Sequence, residues 1–171
     1  MSELLTALFN KFSVYEILNN FLPGLLFYVI LKYFIGYDIF VGNDFENVFI
    51  CYFIGMFISR AGSLWLEKIL KFLHFLKFAD YKDFVIAEKE DNSKKLTLLS
   101  DINNSYRSYT TVFLVSLIIK LVTIIMKSEY NKADFFIFVV LLVLFILFLF
   151  SYKKQTTIVR KRVEILLTMN S

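Results

Sequence analysis

One cysteine, one histidine, one proline and five glycines are spread over 171 residues. The single cysteine, Cys51, forms no intrachain disulfide and no cysteine-based zinc site, so a disulfide-rich secreted scaffold is excluded. The single histidine, His74 in the run LKFLHFLKF, has no second histidine nearby for a metal pair or a catalytic dyad, and reads as a structural residue. HExxH, a phosphate-binding glycine loop and a nucleophile elbow are all absent. These absences make the chain a non-enzyme on its sequence, with no redox or metal cofactor. Acidic and histidine residues are also missing from the interior of its apolar runs, which counts against a proton-coupled transporter.

What is present is apolar. Hydrophobic residues make up 58% of the chain, including 21 Phe and ten Tyr, against roughly 45–50% in an ordinary globular domain. A soluble core of this size has no room for so much phenylalanine. Yet 20% of the residues are charged. The combination predicts an all-α integral membrane protein with charged segments outside the bilayer.

Four runs are candidate transmembrane helices: Leu18–Ile35, Phe45–Ser59, Tyr109–Met126 and Phe135–Tyr152. A bilayer core needs about 20 residues of helix. The fourth run meets this with no charge at all and the third despite Lys120, while the short second run is expected to continue as a helix. Charge asymmetry sets the orientation. The loop Gly36–Asn47 holds Asp38, Asp44 and Glu46 and no Lys or Arg, whereas Arg60–Ser108 holds nine basic residues and the tail from Lys153 five more. Basic residues collect on the cytosolic side, so both termini and the central segment are expected in the cytosol. The N-terminus, with acidic Glu3 and no basic leader, does not read as a cleavable signal peptide.

The chain divides at these boundaries. Residues 1–60 hold the N-terminal segment and helices 1 and 2, residues 61–108 a cytosolic helical arm, residues 109–152 helices 3 and 4, and residues 153–171 a basic C-terminal helix. Ser13 and Glu16 have capping-box spacing and mark the start of the first helix. Pro23 predicts a kink or break there, with Asn19 and Asn20 available to the freed carbonyls. In the arm, Leu64, Leu66, Ile69, Leu70, Leu73 and Leu76 recur at helical spacing, a second helix runs from Asp80 to about Lys89, EKEDNSKK is a polar turn, and a third helix from Leu96 leads into the third span. The helix Leu64–Phe78 is too apolar for water and must bury itself against the returning arm, a neighbouring subunit or the lipid interface. The tail helix, with Val163, Leu166 and Leu167, lies on the membrane or against the arm.

Two groups of residues are candidates for function. In the third span, Tyr109, Ser116, Lys120, Thr123 and Lys127 fall within roughly 60° of one another on a helical wheel. A lysine at mid-bilayer costs about 2.5–3.5 kcal/mol and usually faces a bundle interior or water. Ser116, Lys120, Thr123 and Lys127 are therefore candidates to line a pore in an oligomer, where a ring of Lys120 favours anions. The competing reading is a packed face, with Ser and Thr hydrogen-bonded across helices and Lys120 reaching for headgroups. Lys32, near the outer end of the first span, reads as a snorkelling lysine. The second group is Arg60, at the end of the second span, with Asn104, Tyr106 and Arg107, at the start of the third. Arginine offers a planar fork of donors that suits phosphates. These residues are either headgroup anchors or a site for an anionic cytosolic ligand, such as a nucleotide or oligonucleotide. The run Arg160-Lys161-Arg162 reads as a topological and headgroup signal.

The span layout, together with Ser59-Arg60-Ala61-Gly62-Ser63 and Asn103-Asn104-Ser105-Tyr106-Arg107, resembles the small membrane effectors of bacterial antiphage defence, the Hailong-type channel effector among them. That resemblance implies a homo-oligomeric channel in the bacterial inner membrane. It would be controlled by a nucleotide-type signal from a cytosolic partner enzyme and would depolarise the infected cell. The alternative is a non-conducting anchor or scaffold that recruits a cytosolic protein.

Overall fold

The computed structural model describes residues 13–39, 43–126 and 131–168. Of the described residues 87% are helical, and none lies in a strand. Among them five main helices are formed: α1 (Ile17–Ile35), α2 (Asp44–Phe72), α3 (Tyr81–Glu90), α4 (Lys95–Met126) and α5 (Lys132–Thr168). Four of them, α1, α2, α4 and α5, are long and apolar enough to cross a membrane. Each predicted run lies within one of these four. The helical arm and tail are not separate elements: the arm's first and third helices are the continuations of α2 and α4, and the tail continues α5.

A single helical turn at Val14–Glu16 leads into α1. Ser13 N donates to Glu16 Oε2 at 2.9 Å, and Glu16 N donates back to Ser13 Oγ at 3.2 Å, the reciprocal pair that the spacing predicts. Pro23 does not break the helix. The chain passes through a π-helical turn, Ile17–Phe21, and continues in α-geometry from Leu22, so the widened turn lies directly before the residue that cannot donate. Asn19 Nδ2 donates to the Tyr15 carbonyl at 3.1 Å within the same stretch. At the other end of α1, Gly36 adopts φ +93° and its N–H closes on the Leu31 carbonyl, a left-handed cap that suits glycine.

Glycine also sets the distance between α1 and α2. A Cβ built on Gly24 would lie 1.8 Å from the Cys51 carbonyl oxygen, and one on Gly55 would lie 1.5 Å from that of Asn20. The two backbones are in direct contact, as at small-residue crossings between membrane helices. Cys51 is buried at this crossing. Beyond it, Ile30, Leu31, Ile35, Ile58, Val112, Phe113 and Leu141 bring α1, α2, α4 and α5 into one core.

The basic end is a continuation of the bundle. Leu66 and Leu70 of α2 pack with Leu76 and with Tyr152 of α5. Ala87 of α3 and Leu96 of α4 pack with Val163 and Leu166 of α5, so the tail helix lies against the arm. Gln155 donates to the Leu99 carbonyl and Thr156 to Asn103 across the α4–α5 seam. The turn between α3 and α4 is fastened by Asp91, which accepts from Leu96 N at 2.6 Å, Ser93 Oγ at 2.7 Å and Arg162 Nη2 at 2.9 Å. Those bonds, led by that from Leu96, hold its carboxyl at about 2, below the ordinary 3.8.

Two predictions follow from this packing. Alanine at Gly55 or Gly24 meets rigid backbone, so each substitution should cost at least the about 1–3 kcal/mol of ordinary overpacking. Gly62→Ala meets the Thr111 hydroxyl, a side chain able to rotate, and should cost less. Melting temperatures of the three variants in one detergent check that order. Asp91 has a depressed folded pKa, so its contribution is complete above about pH 4 and is lost as pH falls toward 2. Hydrogen exchange at the Leu96 amide should accelerate over that window beyond its intrinsic pH dependence, and Asp91→Asn should abolish the excess.

Candidate functional site

The two candidate groups meet different fates. Ser116 and Lys120 are fully buried inside the protomer, on the face of α4 that meets its own neighbours. Lys120 Nζ lies 2.7 Å from Asp134 Oδ1 at the start of α5 and donates to the Phe34 carbonyl near the end of α1 at 3.0 Å. The stem does climb toward the loop end, as a snorkelling lysine must, but it ends on a carboxylate rather than a headgroup. Ser116 Oγ makes no hydrogen bond, and Thr123 Oγ1 donates to the Ile119 carbonyl of its own helix. Tyr109 packs its ring against Phe148 of α5 at 5.7 Å. Ser116 and Lys120 thus face the helices of their own chain. A charge neutralised at 2.7 Å and closed in by three helices presents no cationic ring. The hydroxyl bonds across helices expected of a packed face are not made at Ser116 or Thr123 either. Lys127 lies outside the described residues.

Sequence reasoning missed Asp134, which looks like a loop acid beside the fourth span. The signal was depth. Lys120 stands six residues before Met126, and Asp134 follows a short connection, so a lysine stem of ordinary reach brings the two charges level. Lys32, at the same end, pairs with Asp38 at 2.8 Å.

The arginine pair behaves differently. Arg60 and Arg107 line one cavity of about 440 Å³ between the start of α1, α2 and α4. Ser13, Glu16 and Asn20 form one wall, Tyr52, Ser59 and Ser63 stand on α2 beside Arg60, and Arg107 closes the α4 side. Arg60 is exposed. Arg107 is mostly buried and directed by Glu67, which accepts from its Nη1 at 3.0 Å, while Lys71 takes the other carboxylate oxygen at 2.8 Å. The Tyr152 hydroxyl reaches the same carboxylate at 3.5 Å. Arg107 Nε is buried with no hydrogen-bond partner. One edge of the guanidinium is thus spent on orientation and another remains unspent. Asn104 and Tyr106 are not in the lining; the Tyr106 ring packs against Phe148 at 6.2 Å.

His74, read as a structural residue, is not part of the packed core. It is exposed and occupies a left-handed corner at φ 54°, just past the end of α2. No group of His, Cys, Asp and Glu among the described residues could hold a metal ion.

Four helices long and apolar enough to cross a membrane, with a helical head built on three of them, are what a multi-pass membrane bundle requires. Neither family models, nor curated proteins, nor solved structures contain a match to this chain.

The buried pair makes a sharp prediction. Lys120→Met leaves Asp134 uncompensated and should destabilise the fold by about 3–5 kcal/mol. The double variant Lys120→Met/Asp134→Leu should recover most of that loss. Thermal unfolding in one detergent, read by size exclusion, checks both; equal stability of Lys120→Met and wild type would remove the pair from the account.

Proposed function

We propose that this chain is a ligand-controlled membrane effector of the bacterial inner membrane. It acts as a homo-oligomer that conducts ions when an anionic ligand, made or delivered by a cytosolic partner, occupies the cavity of Arg60 and Arg107. The basic end, with both chain termini, faces the cytosol on the charge asymmetry of the loops. The observation that carries the reading is the cavity itself. It joins an exposed arginine, a fixed arginine and three serine hydroxyls, with Glu16 as its one acid, where three apolar helices meet the polar head, and a phosphate-bearing ligand suits the two arginines. Occupancy there acts on α1, α2 and α4 together.

The oligomer is supported by α2. At about 1.5 Å per residue its 29 residues extend about 43 Å, against about 30 Å of hydrocarbon. Leu64, Trp65, Ile69 and Phe72 are exposed on it beyond Arg60, as is Leu73 just after it, and the last of them stand past the hydrocarbon edge, where a second copy gives better cover than lipid. Ion selectivity is not assigned to Lys120, because its charge is cancelled within the protomer.

A specific observation favours the second reading, a non-conducting anchor. The polar face of α4 is buried, while Phe49, Phe53, Phe57, Val143, Leu147 and Phe150 point outward. Planar bilayers separate the two. With nucleoside triphosphates and short oligonucleotides added one at a time on the Arg60 side, at least one should evoke current. Arg60→Ala should weaken its action about tenfold or more, as expected for a lost charged hydrogen bond, with assembly intact. Silence across the panel, with a cytosolic protein co-purifying stably from the native cell, is the result expected of the anchor.

A further inference from the structure

A smaller pocket lies between the loop that follows α2 and the basic part of α5. It holds about 140 Å³ and is lined by His74, Phe75, Lys77, Lys153, Thr157 and Arg160. Lys153, Thr157 and Arg160 are at positions i, i+4 and i+7 of α5 and share one face, and the loop after α2 brings His74 and Lys77 across from it. All the ionisable groups in this lining are basic. The acid near it is Glu164, 3.4 Å from Arg160 Nε along the helix and itself exposed. That ion pair lacks hydrogen-bond geometry, and Arg160 Nε is buried without a hydrogen-bond partner. Lys153 Nζ sits 4.2 Å from the centroid of the Phe75 ring, which holds the ammonium at the pocket instead of letting it extend into solvent. Like charges gathered this closely repel one another unless an anion lies between them.

The backbone turn that builds the pocket is unusual in its residue. His74 N donates to the Lys71 carbonyl and Phe75 N to that of Leu70, both at 2.9 Å, and Phe75 packs with Leu70. This is a complete Schellman cap, with His74 in the left-handed position that glycine normally takes. A histidine there costs about 1 kcal/mol or more. The cap alone gives no reason to bear that cost, since glycine would close it better. His74 itself lines the pocket.

We propose that this pocket binds a phosphate group, carried either by an anionic phospholipid headgroup or by a soluble phosphate. It is deep enough for about five water volumes, which suits a tetrahedral oxyanion and not a whole nucleotide. Lys153 directly follows the apolar run of α5, so the mouth opens at headgroup level. This placement rests on the reading of α5 as a membrane span; the cation cluster does not.

The experiment uses the full chain in nanodiscs. In one arm the lipid is neutral phosphatidylcholine and inorganic phosphate is titrated. In the other, phosphate is absent and the discs contain phosphatidylcholine with phosphatidic acid or phosphatidylglycerol, and lipid retention is read by native mass spectrometry. Retention of anionic lipid, with little response to phosphate, identifies a headgroup site; saturable stabilisation by phosphate alone identifies a soluble ligand. Lys153→Gln/Arg160→Gln should weaken whichever binding is seen about tenfold or more, and Lys82→Gln/Lys89→Gln, equal in charge and outside the pocket, should leave it unchanged. His74→Gly keeps or improves the cap, so its melting temperature should hold or rise while binding falls; this variant covers the case in which the double variant misfolds. Equal losses for the pocket and control pairs, full binding by His74→Gly, or no binding in either arm overturns the proposal. Failure of α5 to insert would instead appear as chains missing from the discs, and conductance has no part in the readout.

Discussion

Lys120 is the point at which three helices share one charge. Its ammonium takes the Asp134 carboxylate from α5 and the Phe34 carbonyl from α1. The short outer connections thus need not position the helices by themselves. A cation this deep is tolerated only with an anion at contact distance, because the cost of stripping water from either charge exceeds what packing returns. The pair therefore specifies register. α4 slipped by one residue would swing Lys120 about 100° away from α5 and leave two buried charges unmatched. With α4 and α5 registered at the loop end, their basic ends are registered as well, and the Asn103–Thr156 and Leu99–Gln155 bonds fall into place about five to six turns further along.

At the basic end a carboxylate plays the corresponding part. Glu67 gathers Arg107, Lys71 and the Tyr152 hydroxyl, one contact each from α4, α2 and α5. The two charges that could close the cavity between α1, α2 and α4 are thereby treated unequally: Arg107 is fixed and Arg60 is left exposed. A site built in this way has one rigid donor that defines position and one mobile donor that adapts, while the Gly24–Gly55 crossing holds its floor. The backbones of α1 and α2 are in contact there, so a ligand that separates Ser13–Asn20 from Arg60 works against a rigid fulcrum one to two turns below.

The sequence carried the elements well, for a physical reason. Apolar runs of spanning length, a capping box and a polar turn are local signals, and the helices begin and end near where those signals lie. What it did not carry is how side chains meet across helices. The wheel of α4 correctly gathered Ser116, Lys120 and Thr123 on one face, but a wheel cannot say what the face looks at, and here it looks inward. Asp134 went unread because an acid at a helix start looks like solvent-facing loop until the partner's depth is considered. Gly24 and Gly55 are separated by a loop and carry no motif within one helix. The pairing of Arg60 with Arg107 was legible, since antiparallel neighbours place the ends of two spans at one depth. Asn104 and Tyr106 were not separable from Arg107 without knowing which side of α4 faces the cavity.

The distribution of polar atoms also constrains how a bundle of this kind could pass ions. Within one chain Ser108, Thr110, Thr111, Ser116 and Lys120 of α4 are closed in, and the core between the four helices is filled by Ile, Leu, Val and Phe. A path through the middle of a protomer would have to unpack that core and break the Lys120–Asp134 pair. A path between protomers requires neither. Its walls would be the outward faces, and the outward face of α2 is a ladder of Phe45, Phe49, Phe53 and Phe57, with neighbouring rings 5.6–6.2 Å apart along its first three members. Such a wall excludes water at rest and conducts only when widened enough to wet. In the proposed oligomer, the ligand at the Arg60 end of α2 is therefore not asked to move a charge out of a pore. It has only to tilt or separate α2 helices whose own interior contacts remain intact.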